Sequence, residues 1–292
     1  MEQVFIVGCG DIGRRVAAIE KGNGSRVTGL ARSEESAERL RSAGIEPVGG
    51  DLDDPNSLID LPTGGTVLYY FAPPPAFGVK DPRMGSFLDS LTTNAVPARV
   101  VLISTTGVYG DCQGAWITEE QPPRPGSDRA RRRLSAERRL ESRAARLKLP
   151  YVILRVPGIY GPGRLPLDRL RRGEPVVREE EAPFTNRIHA DDLARVCVAA
   201  SRQGGSGRVY NVSDGQPSTM TDYFYRVADF LGLPKPPAIS MEAARERLSP
   251  GMLSYLMESR RLDNRRMREE LGIQLVYPDL ETGLRAIVES GS

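Results

Sequence analysis

An apolar stretch, Gln3-Val4-Phe5-Ile6-Val7, runs directly into Gly8-Cys9-Gly10-Asp11-Ile12-Gly13. No other feature constrains the fold as much, because it calls for a buried strand, a tight turn and a helix in immediate succession. Gly8 permits the turn, Gly10 lets the backbone approach a pyrophosphate, and Gly13 lets helix and strand pack closely. The helix expected over 12–20 presents free N–H groups and a partial positive charge to phosphates at its N-terminus. In a chain with 30 glycines the pattern alone says little; the strand before it and the helix after it supply the context. The turn is expected to hold a dinucleotide through Gly8, Gly10, Asp11, Ile12 and Gly13.

The rest of the chain continues the alternation. Residues 67–71, 100–103 and 151–156 are apolar, β-branched runs of strand length, with a shorter one at 209–212; 26–31 and 46–48 are further strand candidates, and helical patterns occupy 34–43 and 127–148. This spacing predicts an α/β fold, a Rossmann-type doubly wound parallel sheet covered on both faces. Proline-rich patches at 73–75, 122–125 and 234–237 are loops. Shorter helices expected over 219–232, 241–248 and 260–271 lack accompanying strands. They suggest a smaller, mostly helical, substrate-side lobe made of 161–185 and 215–292, beside a nucleotide domain made of 1–160 with 186–214 returning to it.

The end of the second strand selects the cofactor. An NAD site usually places an acid there to accept from the ribose 2′-hydroxyl. Here Ala31 is followed by Arg32 and Ser33, a guanidinium and a hydroxyl suited to a 2′-phosphate. NADP is favoured, NAD less so.

Further along stand Gly50-Asp51-Leu52, then Ser104-Thr105-Thr106-Gly107-Val108-Tyr109-Gly110, Leu154-Arg155-Val156-Pro157-Gly158-Ile159-Tyr160-Gly161, Arg187-Ile188-His189-Ala190-Asp191-Asp192 and Tyr210-Asn211-Val212. Together with the glycine turn, these resemble the extended short-chain dehydrogenase/reductase superfamily, the NAD-dependent epimerase/dehydratase group, over nearly the whole chain. The resemblance implies that Asp51 and Leu52 lie beside the adenine. It places Thr105 at the catalytic Ser/Thr position, and adds Ala72, Pro73 and Pro157 to the cofactor-binding set. The family's proton shuttle is a Tyr-x-x-x-Lys pair on the long helix. Here Arg129 stands at the tyrosine position and Arg133 at the lysine position, where it is expected to bond the ribose. Arginine keeps its proton, with a pKa above about 12. The chain is similar in this to an atypical bacterial branch that lacks the pair. Tyr109, at a position where the family keeps a pocket tyrosine, is a substitute proton donor. The resemblance makes His189 a structural hydrogen-bonder and lets Asp192 cap or orient the next helix. An arginine that contacts the diphosphate in nucleotide-sugar members is replaced by Thr185.

Composition narrows the class. The 292 residues carry a net charge of +2, with no global basic field for nucleic acid. One histidine and three scattered cysteines, Cys9, Cys112 and Cys197, suggest neither a metal site nor a disulfide framework. No apolar run approaches the roughly 18–20 residues that span a bilayer, and no signal peptide is recognisable, so a cytoplasmic location and no membrane partner are expected. Eight arginines between 129 and 146 are expected to form a solvated face balanced by Glu137 and Glu141, which disfavours a nucleic-acid partner and leaves monomer and homodimer both open. The function expected is an NADP(H)-binding oxidoreductase or epimerase-like enzyme with non-standard proton chemistry on an unidentified small molecule. The alternative is a non-catalytic NADP(H)-binding sensor or scaffold. If Arg32 meets the 2′-phosphate, Arg32→Asp weakens NADP binding and shifts preference towards NAD. Calorimetry showing unchanged NADP affinity removes Arg32 from the site.

Overall fold

Alternation along the strands decides the layering. In β1 (Gln3–Val7), Val4 and Ile6 enter one apolar core while Phe5 and Val7 enter another on the opposite face. β2 (Arg26–Ala31), β3 (Glu46–Gly49), β4 (Val67–Tyr70), β5 (Arg99–Thr105), β6 (Tyr151–Val156) and β7 (Arg208–Asn211) complete a seven-stranded sheet in the order β7-β6-β5-β4-β1-β2-β3. Every pairing in it is parallel. One face is covered by α1 (Asp11–Gly22), α2 (Glu34–Ser42) and the helix Ala190–Gln203, the other by α3 (Pro82–Ser90) and α4 (Asp128–Leu147). This is the Rossmann-type doubly wound architecture, with its switch point between β1 and β4. The computed structural model describes residues 1–93 and 95–289. Residues 290–292, the last of the expected small lobe, lie outside the described residues.

A third apolar cluster, including Tyr160, Leu170, Phe224, Val227, Leu280 and Leu284, joins the helices Met220–Leu231 and Leu280–Glu289 beyond the carboxyl end of the sheet's later strands. Two-residue strand pairs stitch this region: Val176–Val177 with Ala238–Ile239, and Phe184–Thr185 with Ser218–Thr219. Among the described residues no helix is long and apolar enough to cross a membrane.

Two expectations change. The helix expected over 260–271 begins only at Arg265, because Arg261–Leu262 pairs in parallel with Trp116–Ile117; the Arg261 N–H donates to Ala115 O at 2.9 Å. Glu137 does not balance a solvated arginine face. It is 1% exposed and faces the sheet, where its carboxylate takes both ends of the Arg155 guanidinium of β6, at 2.8 and 3.3 Å, and the Ser104 hydroxyl of β5. Burial opposes the charge on Arg155, but the Glu137 carboxylate more than offsets it and raises its pKa. Several of the arginines are likewise not solvated: Arg132 donates to Gly78 O at 2.6 Å and Arg143 to Leu91 O at 2.6 Å.

Removing one partner of such a pair leaves an uncompensated buried charge. Glu137→Gln is therefore expected to cost about 3–5 kcal/mol of unfolding free energy, measured by urea denaturation. Adding Arg155→Met should recover much of that loss. A loss below roughly 1 kcal/mol for the single variant would show that water reaches the pair.

Candidate functional site

The carboxyl end of β1 runs into Gly8, whose φ is +91° and whose missing Cβ would sit 2.4 Å from the backbone nitrogen of Ala72. Only glycine allows the ends of β1 and β4 to come this close. At Gly13 a Cβ would meet Gly8 O at 2.9 Å, so the glycine lets α1 lie against the turn. Gly10 differs: nothing lies within 4 Å of its Cβ position, and it is exposed. As the N-cap of α1 it has no side chain to offer the first-turn N–H groups of Asp11, Ile12 and Gly13. The three glycines thus have three different causes, and together they leave the first-turn N–H groups of α1 without a side-chain cap at the switch point. Asp11 turns its carboxylate aside, to Arg164 Nε at 2.6 Å and Arg15 Nε at 3.0 Å. Burial disfavours its charge, yet the two guanidiniums outweigh that and hold its pKa below the usual carboxylate value.

At the ends of β2 and β3, Arg32 and Ser33 line a hollow of about 310 Å³ with Gly49 and Gly50. Arg32 is exposed and makes no hydrogen bond or ion pair with the described residues. Ser33 is engaged: its hydroxyl accepts from Ser36 N at 3.3 Å and its own N–H donates to Ser36 Oγ at 3.0 Å, a reciprocal cap on α2. Asp51 is half-buried, with its N–H donating to Ser57 Oγ at 2.8 Å, and Leu52 packs on the second core.

Farther along the edge, the guanidinium of Arg133 donates to Ala72 O at 3.1 Å, while Pro73 O accepts from Arg83 at 3.2 Å. Burial works against the charge on Arg133 and lowers its pKa. Thr105 ends β5, and its hydroxyl accepts from Gly107 N at 3.2 Å. Both Thr105 and Pro157 line a cavity of about 490 Å³ between the sheet edge and the Met220–Leu231 helix. Tyr109 is not brought there. It is 1% exposed, its hydroxyl donates to Asn211 Oδ1 at 2.6 Å, and Arg155 lies over its ring. The short 3₁₀ turn Thr106–Tyr109 carries it into the core, and burial pushes its pKa up to about 12.

The cavity also holds residues that periodicity does not single out. Tyr223 faces it from the Met220–Leu231 helix, with a pKa raised to about 12 by burial, and Tyr255 reaches in from the short helix Pro250–Leu256. The cavity's polar lining includes Arg129, which the resemblance places at the tyrosine position, together with Arg164, Arg169, Arg187, Glu258 and Arg260. No local motif marks Tyr223, Tyr255, Glu258 or Arg260, because distant parts of the sequence assemble the cavity.

His189 caps the helix Ala190–Gln203, its Nδ1 accepting from Asp191 N at 3.2 Å, and its ring lies between Tyr160 and Tyr277. Burial lowers its pKa, which favours the neutral ring of a structural residue. Asp192 does not cap this helix. Its buried carboxylate accepts from Val276 N at 2.9 Å and Tyr277 N at 2.8 Å, fixing the C-terminal segment instead.

Comparisons with known proteins agree with this architecture. The NAD dependent epimerase/dehydratase family model matches residues 4–213. Protein YeeZ of Escherichia coli (strain K12) is 28% identical over 96% of this chain and 97% of its own length. The structure of a functionally unknown conserved protein from Silicibacter pomeroyi superposes with a TM-score of 0.85 at 30% identity, covering 100% of both chains. The UDP-glucose 4-epimerase of Thermus thermophilus, solved as a complex with NAD, shares the fold at a TM-score of 0.77 and 21% identity over 98% of each chain. From β1 through the end of β7 the match is continuous, and the chain belongs to the NAD-dependent epimerase/dehydratase family.

Proposed function

We propose that the protein is an NADP(H)-dependent oxidoreductase or epimerase-like enzyme whose proton chemistry does not use the family's tyrosine and lysine. The observation that carries the cofactor is the open, uncapped α1 N-terminus at Gly10, placed at the switch point of a parallel sheet. Gly8, Gly10 and the N–H groups of Asp11, Ile12 and Gly13 would hold the pyrophosphate. Arg32, with no hydrogen bond to spend elsewhere, would meet the 2′-phosphate; Asp51 and Leu52 would flank the adenine. Arg133, Ala72, Pro73 and Pro157 would border the nicotinamide end. When bound, the cofactor supplies hydride exchange at carbon. That a neighbouring structure was solved with NAD supports a nicotinamide cofactor.

Catalysis is favoured over a sensor role by the character of the cavity. A pocket lined only by apolar atoms would have nothing to orient a reacting group. This one presents the hydroxyls of Thr105, Tyr223 and Tyr255 with several guanidiniums. Thr105 accepts from Gly107 N and keeps its own O–H free to point at a substrate carbonyl or hydroxyl oxygen. Tyr223, with a pKa pushed up to about 12, stays protonated at neutral pH and serves as a donor rather than a base. On this reading 1–160 with 186–214 form the cofactor domain, and the remaining residues form the substrate-side lobe.

Calorimetry with NADP⁺, NADPH and NAD⁺ tests the cofactor, expecting one site per chain and tighter binding of the phosphorylated forms. Gly10→Leu should weaken that binding by at least about 100-fold while leaving unfolding free energy within roughly 0.5 kcal/mol of the parent. Gly8→Ala, facing backbone at 2.4 Å, should lower stability itself. Equal NADP affinity in the Gly10→Leu chain would refute the cradle. Binding of NADPH without oxidation across a panel of carbonyl compounds would leave the sensor reading.

A further inference from the structure

The cavity beside Thr105 has an unbalanced charge. Arg129, Arg164, Arg169, Arg187 and Arg260 line it against one acid, Glu258. Three of these arginines have carboxylate partners: Arg164 with Asp11 at 2.6 Å, Arg169 with Glu174 at 2.8 Å, and Arg260 with Glu258 at 3.1 Å. The other two have no carboxylate within ion-pairing distance among the described residues.

Arg187 is 6% exposed and has only neutral partners. It donates to Thr185 Oγ1 at 2.8 Å, Ser218 Oγ at 2.9 Å and Thr219 O at 3.1 Å, and lies over the Tyr223 ring. The acids that act on it from a distance are Asp214 and Asp222, and burial dominates, disfavouring its charge. Arg129 is more exceptional. Its guanidinium carbon sits 3.4 Å from the centroid of the Tyr255 ring, which fixes its plane, and its Nε is buried with no acceptor. A guanidinium with its plane set by a stacked ring and its terminal N–H groups unspent is suited to take a planar or tetrahedral oxyanion through two parallel N–H bonds. Neutral acceptors and an aromatic face offset only part of the cost of burying a cation.

We propose that this cavity binds a substrate through an oxyanion, a carboxylate or a phosphate, with Arg129 as the specificity-determining contact and Arg187 as the second cation. The residue at the family's proton-shuttle position thereby takes a different part, gripping an anionic group near the Thr105 hydroxyl instead of moving a proton. That the bound molecule then reacts rests on the cofactor reading above; the anion site itself does not.

The test separates the two. Inorganic phosphate and succinate, with sodium chloride at matched ionic strength as control, are titrated calorimetrically into the full chain and, in parallel, into the Gly10→Leu chain. In the latter the α1 cradle is filled, so a phosphate bound there does not count. Saturable binding of either anion beyond the chloride control, persisting in Gly10→Leu, is expected; preference for succinate marks a carboxylate substrate and preference for phosphate a phosphorylated one. Adding Arg129→Gln should weaken that binding roughly 10- to 100-fold, with Arg129→Lys intermediate. Arg138→Gln, on the outer face of α4, should leave it within about twofold. Arg187→Gln should weaken it too, and unfolding curves check that this buried variant still folds; Arg129 is only half-buried, so the Arg129 series decides the matter if it does not. No saturable binding above chloride, or equal binding in the Arg129→Gln chain, overturns the proposal, even where NADP(H) binds normally to the unaltered protein.

Discussion

The site depends on how α4 is seated, and a buried ion pair seats it. Glu137 on the helix and Arg155 on β6 face each other with 1% and 6% side-chain exposure. Their separation from water makes the pair unforgiving of displacement, since either charge alone would be stranded. The pair does not stand by itself. Ser104 of β5 donates to the same carboxylate, Arg155 covers the Tyr109 ring, Tyr109 bonds Asn211, and the Asn211 N–H donates to Glu119 at 2.8 Å. One polar network therefore ties α4 to three neighbouring strands of the sheet. Arg129, Arg133 and Glu137 follow one another at four-residue spacing, one stripe of the helix with about 6 Å between steps. With Glu137 anchored at the sheet, Arg133 reaches the end of β4 at Ala72 and Arg129 reaches the cavity. The anchor and the two site residues are a single rigid ruler.

The strands are legible in the sequence because burial on both faces leaves a plain mark. Tyr151–Val156 is such a strand, buried along nearly its whole length. The glycine turn is legible for a related reason: each glycine answers a separate steric demand, so the spacing itself carries the geometry. α3 escapes sequence reasoning. Its Asp81-Pro82 start is a proper N-terminal signal, with Asp81 accepting from Met84 N at 3.0 Å, but Gly85 and two serines dilute the pattern. Packing of Met84, Phe87 and Leu88 against the second core makes it a helix. The place of Glu137 departs from expectation because periodicity reports which face a residue occupies, and says nothing of an arginine waiting on a strand eighteen positions later. Tyr255 is invisible as a site residue for the same reason at longer range.

Arg129 and Arg133 at the tyrosine and lysine positions, as the resemblance implies, would be consistent as a pair. In the family the lysine's charge lowers the tyrosine's pKa as well as holding the ribose; without the tyrosine, that electrostatic role disappears. A guanidinium at 133 instead bonds a backbone oxygen at the strand end and remains close to the sheet edge, a position suited to a planar, multi-donor group. With an arginine at 129, a proton that moves would come from a hydroxyl, from the Glu258 carboxyl or from solvent. Thr105, Tyr223 and Tyr255 are the hydroxyls the proposed reading would use, without the lysine support the resemblance gives the family's tyrosine.

That arrangement limits which reactions fit. Acid–base chemistry with a high-pKa hydroxyl proceeds when the substrate itself stabilises developing charge, and a cavity rich in guanidiniums helps most where that charge is negative. The surplus positive charge also sets the ground state. With Arg164 tied to Asp11 at the cofactor turn, the two cations left without carboxylates lie on the substrate side, one on α4 and one on the strand Arg187–His189. On the proposed reading an anionic substrate would neutralise them on entry, and its attachment would hold the reacting carbon over the sheet edge by binding energy drawn from a group that does not react. On that reading positioning by charge would take over part of the role the resemblance gives the shuttle residue, with Arg129 as the anchor.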